Sequence, residues 1–119
     1  MAGPDTIAPD GSEIRRLVES ARQASLVEVR LAAGAVSRPI RHRTVEEIWY
    51  ILSGRGRVWH EGEVREVTPG DRVVIRTGVP FQFAAGQEEL CFLCFTSPPW
   101  PGPQEAESVP GGGLGPPSV

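Results

Sequence analysis

From Leu26 to Thr96 the chain is a succession of short runs of alternating apolar and polar residues, each ended by a glycine or proline turn. Almost nowhere do apolar residues recur with the helical period of about 3.6. Leu26 to Leu31, "LVEVRL", carries an apolar residue at every second position, as a strand buried on one face requires. Glu47 to Leu52 is rich in aromatic and β-branched residues and ends at "SGRG", which reads as a strand entering a tight turn. Arg57 to His60 and Val64 to Thr68 flank "EGE", a hairpin signal, and "PGD" introduces Arg72 to Ile75. Pro80 to Ala84 and Glu89 to Thr96 complete the series, while Ile14 to Val18 reads as an edge strand or a short helix. Short strands spaced by turns in this way predict an all-β sandwich or barrel with little helix.

The 119 residues suffice for one domain with a real core and are too few for two. More than half of the 12 prolines fall in the tail "SPPWPGPQEAESVPGGGLGPPSV", which can form neither a helix nor a central strand. The expected division is a flexible arm at residues 1–12, a barrel at 13–101, and a tail at 102–119 that is disordered or lies on the surface. Within the arm, "PDG" is a turn signal. A formal charge of −3 and scattered arginines give no reason to expect nucleic acid as a partner. No apolar run approaches the roughly 20 residues of a membrane helix. The start "MAGPDTIAPDGSE" has no apolar core behind a basic segment, so a cytoplasmic location is expected. Cys91 and Cys94, in "LCFLCF", fall on opposite faces of a strand and read as small buried apolar residues. A zinc half-site would need a loop and two further ligands.

The order and spacing of these pieces resemble the cupin superfamily of small jelly-roll barrels, or double-stranded β-helices, which carries two short motifs. The first, G-x5-H-x-H-x3-4-E-x6-G, follows the frame from Gly34 through Glu47 to Gly54. The second, G-x5-P-x-G-x2-H-x3-N, overlays "GDRVVIRTGVPFQFAA", with Gly70 and Gly78 in place. The resemblance spans about residues 26 to 96 and implies a cupin-type jelly-roll barrel. A complete cupin holds a divalent metal with three histidines and a glutamate, donors that suit iron, manganese, nickel or zinc. Here Ile40 stands at the first histidine position, His42 at the second and Glu47 at the carboxylate. In the second motif Arg76, Phe81 and Ala85 replace the proline, histidine and asparagine. Two of the four ligands are therefore missing. A frame shifted by one residue would put Arg41 and Arg43 in the ligand positions and make an anion site. Strand alternation allows one frame or the other, and His42 inward is favoured.

Glu47, in an otherwise apolar strand, needs a partner or protonation; pairing with an arginine as structural glue is the plain reading. Trp49 and Ile51 share its face, and Phe81 and Phe83 share a face on a later strand. The expected function is binding of a small apolar or aromatic molecule and metal-independent proton transfer on it, of the cyclase, isomerase or dehydratase type, with a place in natural-product biosynthesis. Glu47 is the base or acid, and His42 its hydrogen-bonded partner or the complementary acid. Ile40, Trp49, Ile51, Phe81 and Phe83, with Arg41 and Arg43, form the substrate contacts. No cofactor is required on this reading. One alternative is a metal-dependent oxygenase or isomerase using His42, Glu47 and, next to its hairpin turn, His60. Another is a non-catalytic binding or accessory barrel, which a cavity filled by Trp49 and Phe81 would favour. The resemblance also implies a homodimer paired through its sheets.

Overall fold

The computed structural model describes residues 3–119, and eleven strands and one 3-10 turn are assigned among them. The strands are β1 (Thr6–Ile7), β2 (Glu13–Val18), β3 (Ser25–Leu31), β4 (Ile40–His42), β5 (Glu46–Ser53), β6 (Gly56–His60), β7 (Glu63–Val67), β8 (Arg72–Ile75), β9 (Phe81–Ala85), β10 (Leu90–Ser97) and β11 (Ala106–Ser108). They form two antiparallel sheets, ordered β1-β2-β3-β10-β5-β8 and β11-β4-β9-β6-β7. Pairs β3/β10, β4/β9, β5/β8 and β6/β7 are nested within one another, as when a long hairpin is rolled over on itself. This is a jelly roll, which leaves the inner faces of both sheets to form one core.

Alternation decides which side chains enter that core. In β5, Glu47, Trp49 and Ile51 are buried while Ile48, Tyr50 and Leu52 are exposed. In β3, Val27, Val29 and Leu31 turn inward. The β2 segment, open between strand and helix from sequence, pairs with β3 as a strand. The turn after β5 needs glycine at Gly54: its φ is 78°, and a Cβ there would run into the Glu89 carbonyl oxygen. Cys91 and Cys94 are both buried and free. A bulge sets Cys91 opposite Ser53 and Phe92 opposite Ile51, so Leu90, Cys91 and Phe92 are buried in succession.

The terminal segments are more structured than their composition suggests. β1 pairs with β2, and β11 adds to the outer edge of the second sheet beside β4. Beyond β11 the tail crosses the second sheet. There the Gln82 amide donates to the carbonyls of Ser37 and Gly115 and accepts from the Leu114 N–H. Ser118 exchanges hydrogen bonds with Val36. Among the described residues no helix is long and apolar enough to cross a membrane.

Candidate active site

Glu47 and Trp49 enter the barrel from β5, His42 and Ile40 from β4, and Phe81 and Phe83 from β9. His42 Nε2 lies 2.9 Å from Glu47 Oε2, both side chains being almost fully buried. The Trp49 indole N–H donates to the other Glu47 oxygen at 2.9 Å. Glu47 thus has its compensating partners, a histidine and a tryptophan rather than an arginine. The His42 ring stacks on Phe81 at 5.5 Å. Trp49 stacks on Phe92 at 4.2 Å and meets Phe81 and Phe83 edge-on, so four aromatic rings wall the polar pair.

Two further acids converge on this pair from the ends of the chain. Glu105 closes the 3-10 turn Pro103–Glu105 and is 3 % exposed. Its carboxylate accepts the N–H groups of Thr44 and Val45 at 2.8 and 3.2 Å and the Thr44 hydroxyl at 2.5 Å. From that seat Oε2 lies 3.7 Å from His42 Nδ1, a buried nitrogen with no hydrogen-bond partner among the described residues. Asp10, 6 % exposed, sits in the turn between β1 and β2, where Oδ1 accepts the Ser12 N–H at 2.9 Å and hydroxyl at 2.6 Å. That turn is fastened by hydrogen bonds from Gly11 N–H to the Ala8 carbonyl and from Arg38 N–H to the Asp10 carbonyl. Gly11 has φ 95° and lies so close to Val119 that a Cβ would collide with its side chain.

The electrostatics follow from this arrangement. Burial alone would lower the His42 pKa, but the hydrogen bond to Glu47 and the charges of Glu47, Glu105 and Asp10 outweigh it, and the pKa is raised. For Asp10, burial raises the pKa and the Glu47 charge adds to it, against the opposing hydrogen bonds from Ser12 and the charge of His42. For Glu105 burial pulls upward, yet the hydrogen bonds from Thr44 and Val45 and the imidazole prevail and lower it. Burial, reinforced by Glu47, pushes the Cys94 thiol well up, so it is held as an inert thiol facing the cavity.

Asp10, Ser12, His42, Glu47, Cys94 and Thr96 supply the polar lining of a cavity otherwise walled by apolar side chains, Trp100 among them. Its volume is about 30 Å³, room for two or three water molecules at roughly 10–15 Å³ each. Of the residues expected at the site, Ile40, His42, Glu47, Trp49, Phe81 and Phe83 line it. Ile51 is a buried core residue that does not reach the cavity, because it lies one strand step beyond Trp49. Arg41 and Arg43 are exposed and turned toward Glu107, at 3.6 and 3.5 Å. The anion site is therefore corrected: with Ile40 and His42 inside, alternation sends both arginines out. His60 ends β6 beside the hairpin, with Nδ1 3.8 Å from Glu61, and takes no part in the cavity.

Comparison with known proteins agrees with this architecture. The family description "Cupin domain" matches residues 27–96. A Methanocaldococcus jannaschii protein, named "Uncharacterized protein MJ1618", is 35% identical over 99 residues, 79% of each chain. The chain belongs to the cupin family. Among solved cupin-fold structures, KdgF from Halomonas sp. superposes with a TM-score of 0.70 at 24% identity, covering 79% of this chain and 84% of that one. Pac13, a nucleoside dehydratase, also gives 0.70, at 14% identity over 84% of this chain and 79% of its own.

As a cupin, this chain departs from the metal-binding pattern in its donors. Phe81 occupies the second-motif histidine position and lies flat against His42, whose Nε2 is turned to Glu47. Among the described residues no three His, Cys, Asp or Glu side chains gather closely enough to hold an ion. The residues present do not fit the metal that a complete cupin carries. Asp10 and Glu105 escaped the sequence reading because both lie outside the motif-bearing segment. "DGS" does signal an Asx-type turn, but nothing local says that this turn folds against the barrel.

Proposed function

We propose that this cupin carries out metal-independent proton transfer on a small, uncharged molecule with apolar surface, in an isomerisation, cyclisation or dehydration. The observation that carries the reading is the buried contact of His42 Nε2 with Glu47 Oε2 at 2.9 Å, at the polar end of an aromatic cavity. A buried ion pair is a poor device for stability, since apolar residues of similar volume often serve as well. A histidine of raised pKa against a buried carboxyl group, both facing a cavity, suits acid/base chemistry. Glu47 is the proton acceptor, and His42, whose pKa is raised, is its hydrogen-bonded partner. Trp49, Phe81 and Phe83 exclude water. With Glu47 and Glu105 both beside His42, the region does not favour an anionic substrate. The likeness to a nucleoside dehydratase is consistent with chemistry of this type, by fold alone.

The test is exchange in deuterium oxide of a panel of β-hydroxy ketones and nucleosides, followed by proton NMR. The native protein is expected to exchange or dehydrate at least one compound, and Glu47→Gln to lose that activity by about 10²- to 10⁴-fold. A panel left untouched by the native protein refutes the enzymatic reading. The small cavity favours a second reading, a non-catalytic binding barrel, which predicts panel compounds that bind without exchange.

The same proposal includes a homodimer and a cytoplasmic setting. Phe95, Ile48 and Val74 are adjacent across β10, β5 and β8 and exposed on the outer face of the first sheet, beside Tyr50 and Leu52. That apolar face supports pairing with a second copy. Ile48→Asp is expected to leave a monomer in sedimentation, and a monomeric native protein would refute the pairing. Two unpaired, buried cysteines fit a reducing compartment.

A further inference from the structure

We propose that Asp10 is a second catalytic residue of this site, a carboxyl group that faces the substrate together with the His42–Glu47 pair and donates a proton to it. This rests on the proton-transfer reading above and assigns its missing acid. Asp10 lies outside the segment that matches the cupin description, in the turn between β1 and β2, yet it lines the same cavity as His42 and Glu47. It is 6 % exposed. The hydrogen bonds its carboxylate accepts among the described residues fall on Oδ1, both from Ser12, which leaves Oδ2 as the oxygen for chemistry.

The groups facing Asp10 are few. β5 presents Glu47, β4 presents His42 and β10 presents the Cys94 thiol, while β2, β3 and β9 contribute Ile14, Val27, Val29 and Phe81. Burial disfavours the charged form, and, over the hydrogen bonds from Ser12 and the His42 charge, it raises the Asp10 pKa. Glu47 has the opposite environment, hydrogen-bonded by an imidazole and an indole N–H. Two carboxyl groups in one cavity, Asp10 with its pKa raised by burial and Glu47 hydrogen-bonded by an imidazole and an indole, stand in the different environments that assign acid and base.

For loss of water from a β-hydroxy carbonyl compound the steps balance. Glu47 removes a proton from the carbon next to the carbonyl. The electron pair of that C–H bond becomes the new carbon–carbon double bond, and the C–O bond breaks with its pair going to oxygen. Oxygen takes the Asp10 proton and departs as water, leaving Asp10 ionised and Glu47 protonated; proton exchange with solvent restores both.

Asp10→Asn discriminates an acid from a mere turn cap, because the amide oxygen still accepts both hydrogen bonds from Ser12. Dehydration of the most reactive panel compound is expected to fall at least about 100-fold, with the thermal midpoint held. In parallel, carbon-13 NMR of the full chain should show the Asp10 carboxyl titrating above ordinary aspartate, and moving down in Glu47→Gln. An Asp10→Asn protein as active as the native one, or an Asp10 that titrates like a free aspartate and ignores Glu47→Gln, overturns the assignment. A native protein inactive on the whole panel overturns the reaction itself, whereas active native and active Asp10→Asn proteins overturn only the role of Asp10.

Discussion

The barrel strands and the terminal segments furnish this site by different physical means. His42, Glu47, Trp49, Phe81 and Phe83 enter because a strand's side chains alternate, and they are held by packing against one another. Asp10 and Glu105 lie in turns and are held by hydrogen bonds, Asp10 by its neighbour Ser12 and Glu105 by Thr44 and Val45 some 60 residues away. Packing places the aromatic wall and the central dyad; hydrogen bonds in the terminal segments set the charges around it.

This contrast has consequences that mutations can break or sharpen, and the largest fall on the packed side. Trp49→Ala removes a ring touching three phenylalanines and also deprives Glu47 of a donor. It is expected to destabilise by about 3–5 kcal/mol, measured by urea denaturation; a loss under about 1 kcal/mol would mean that the aromatic wall is not the packing core. Glu105→Ala strips the Thr44 and Val45 donors of their acceptor and should cost about 1–3 kcal/mol. It should also move the His42 titration, followed by NMR, downward, whereas an unmoved His42 would confine Glu105 to capping.

The third consequence concerns pH. The folded pKa of His42 is raised above its ordinary value, so the stability it contributes is complete below about 6.5 and is lost as pH rises through the folded value. Native protein should therefore lose stability over that window, and His42→Gln should not. Glu105, with a lowered pKa, contributes in the opposite sense: its share is present above 4.5 and lost on acidification through the folded value. Smallest of all, Arg41→Ala and Arg43→Ala should change stability by no more than about 0.5 kcal/mol and leave activity intact, because both side chains are exposed ion-pair partners of Glu107.

Much of the barrel was legible from the sequence, since period-two patterning and glycine turns are local properties. They give seven strands between Leu26 and Thr96 to within a residue or two, and with them the shared face of Glu47 and Trp49, while leaving β2 open between strand and helix. The short strands β1, β4 and β11 carry too few residues to show a period. Ile51 illustrates a subtler limit: alternation correctly buries it, but burial in the core is not contact with the cavity. His60 teaches the same lesson from the other side, as a suitable donor that the hairpin carries away from His42.

The sequence by itself determined an all-β sandwich or barrel and the inward glutamate, because each follows from residue type and spacing along a single strand, and its resemblance to the cupins added the jelly roll and the two replaced metal-ligand positions. Only the tertiary structure decided that Asp10 and Glu105, 95 positions apart by their numbers, close on one imidazole. Their approach depends on backbone turns at Gly11 and Pro103 and on hydrogen bonds to residues distant in the chain, which no local pattern encodes.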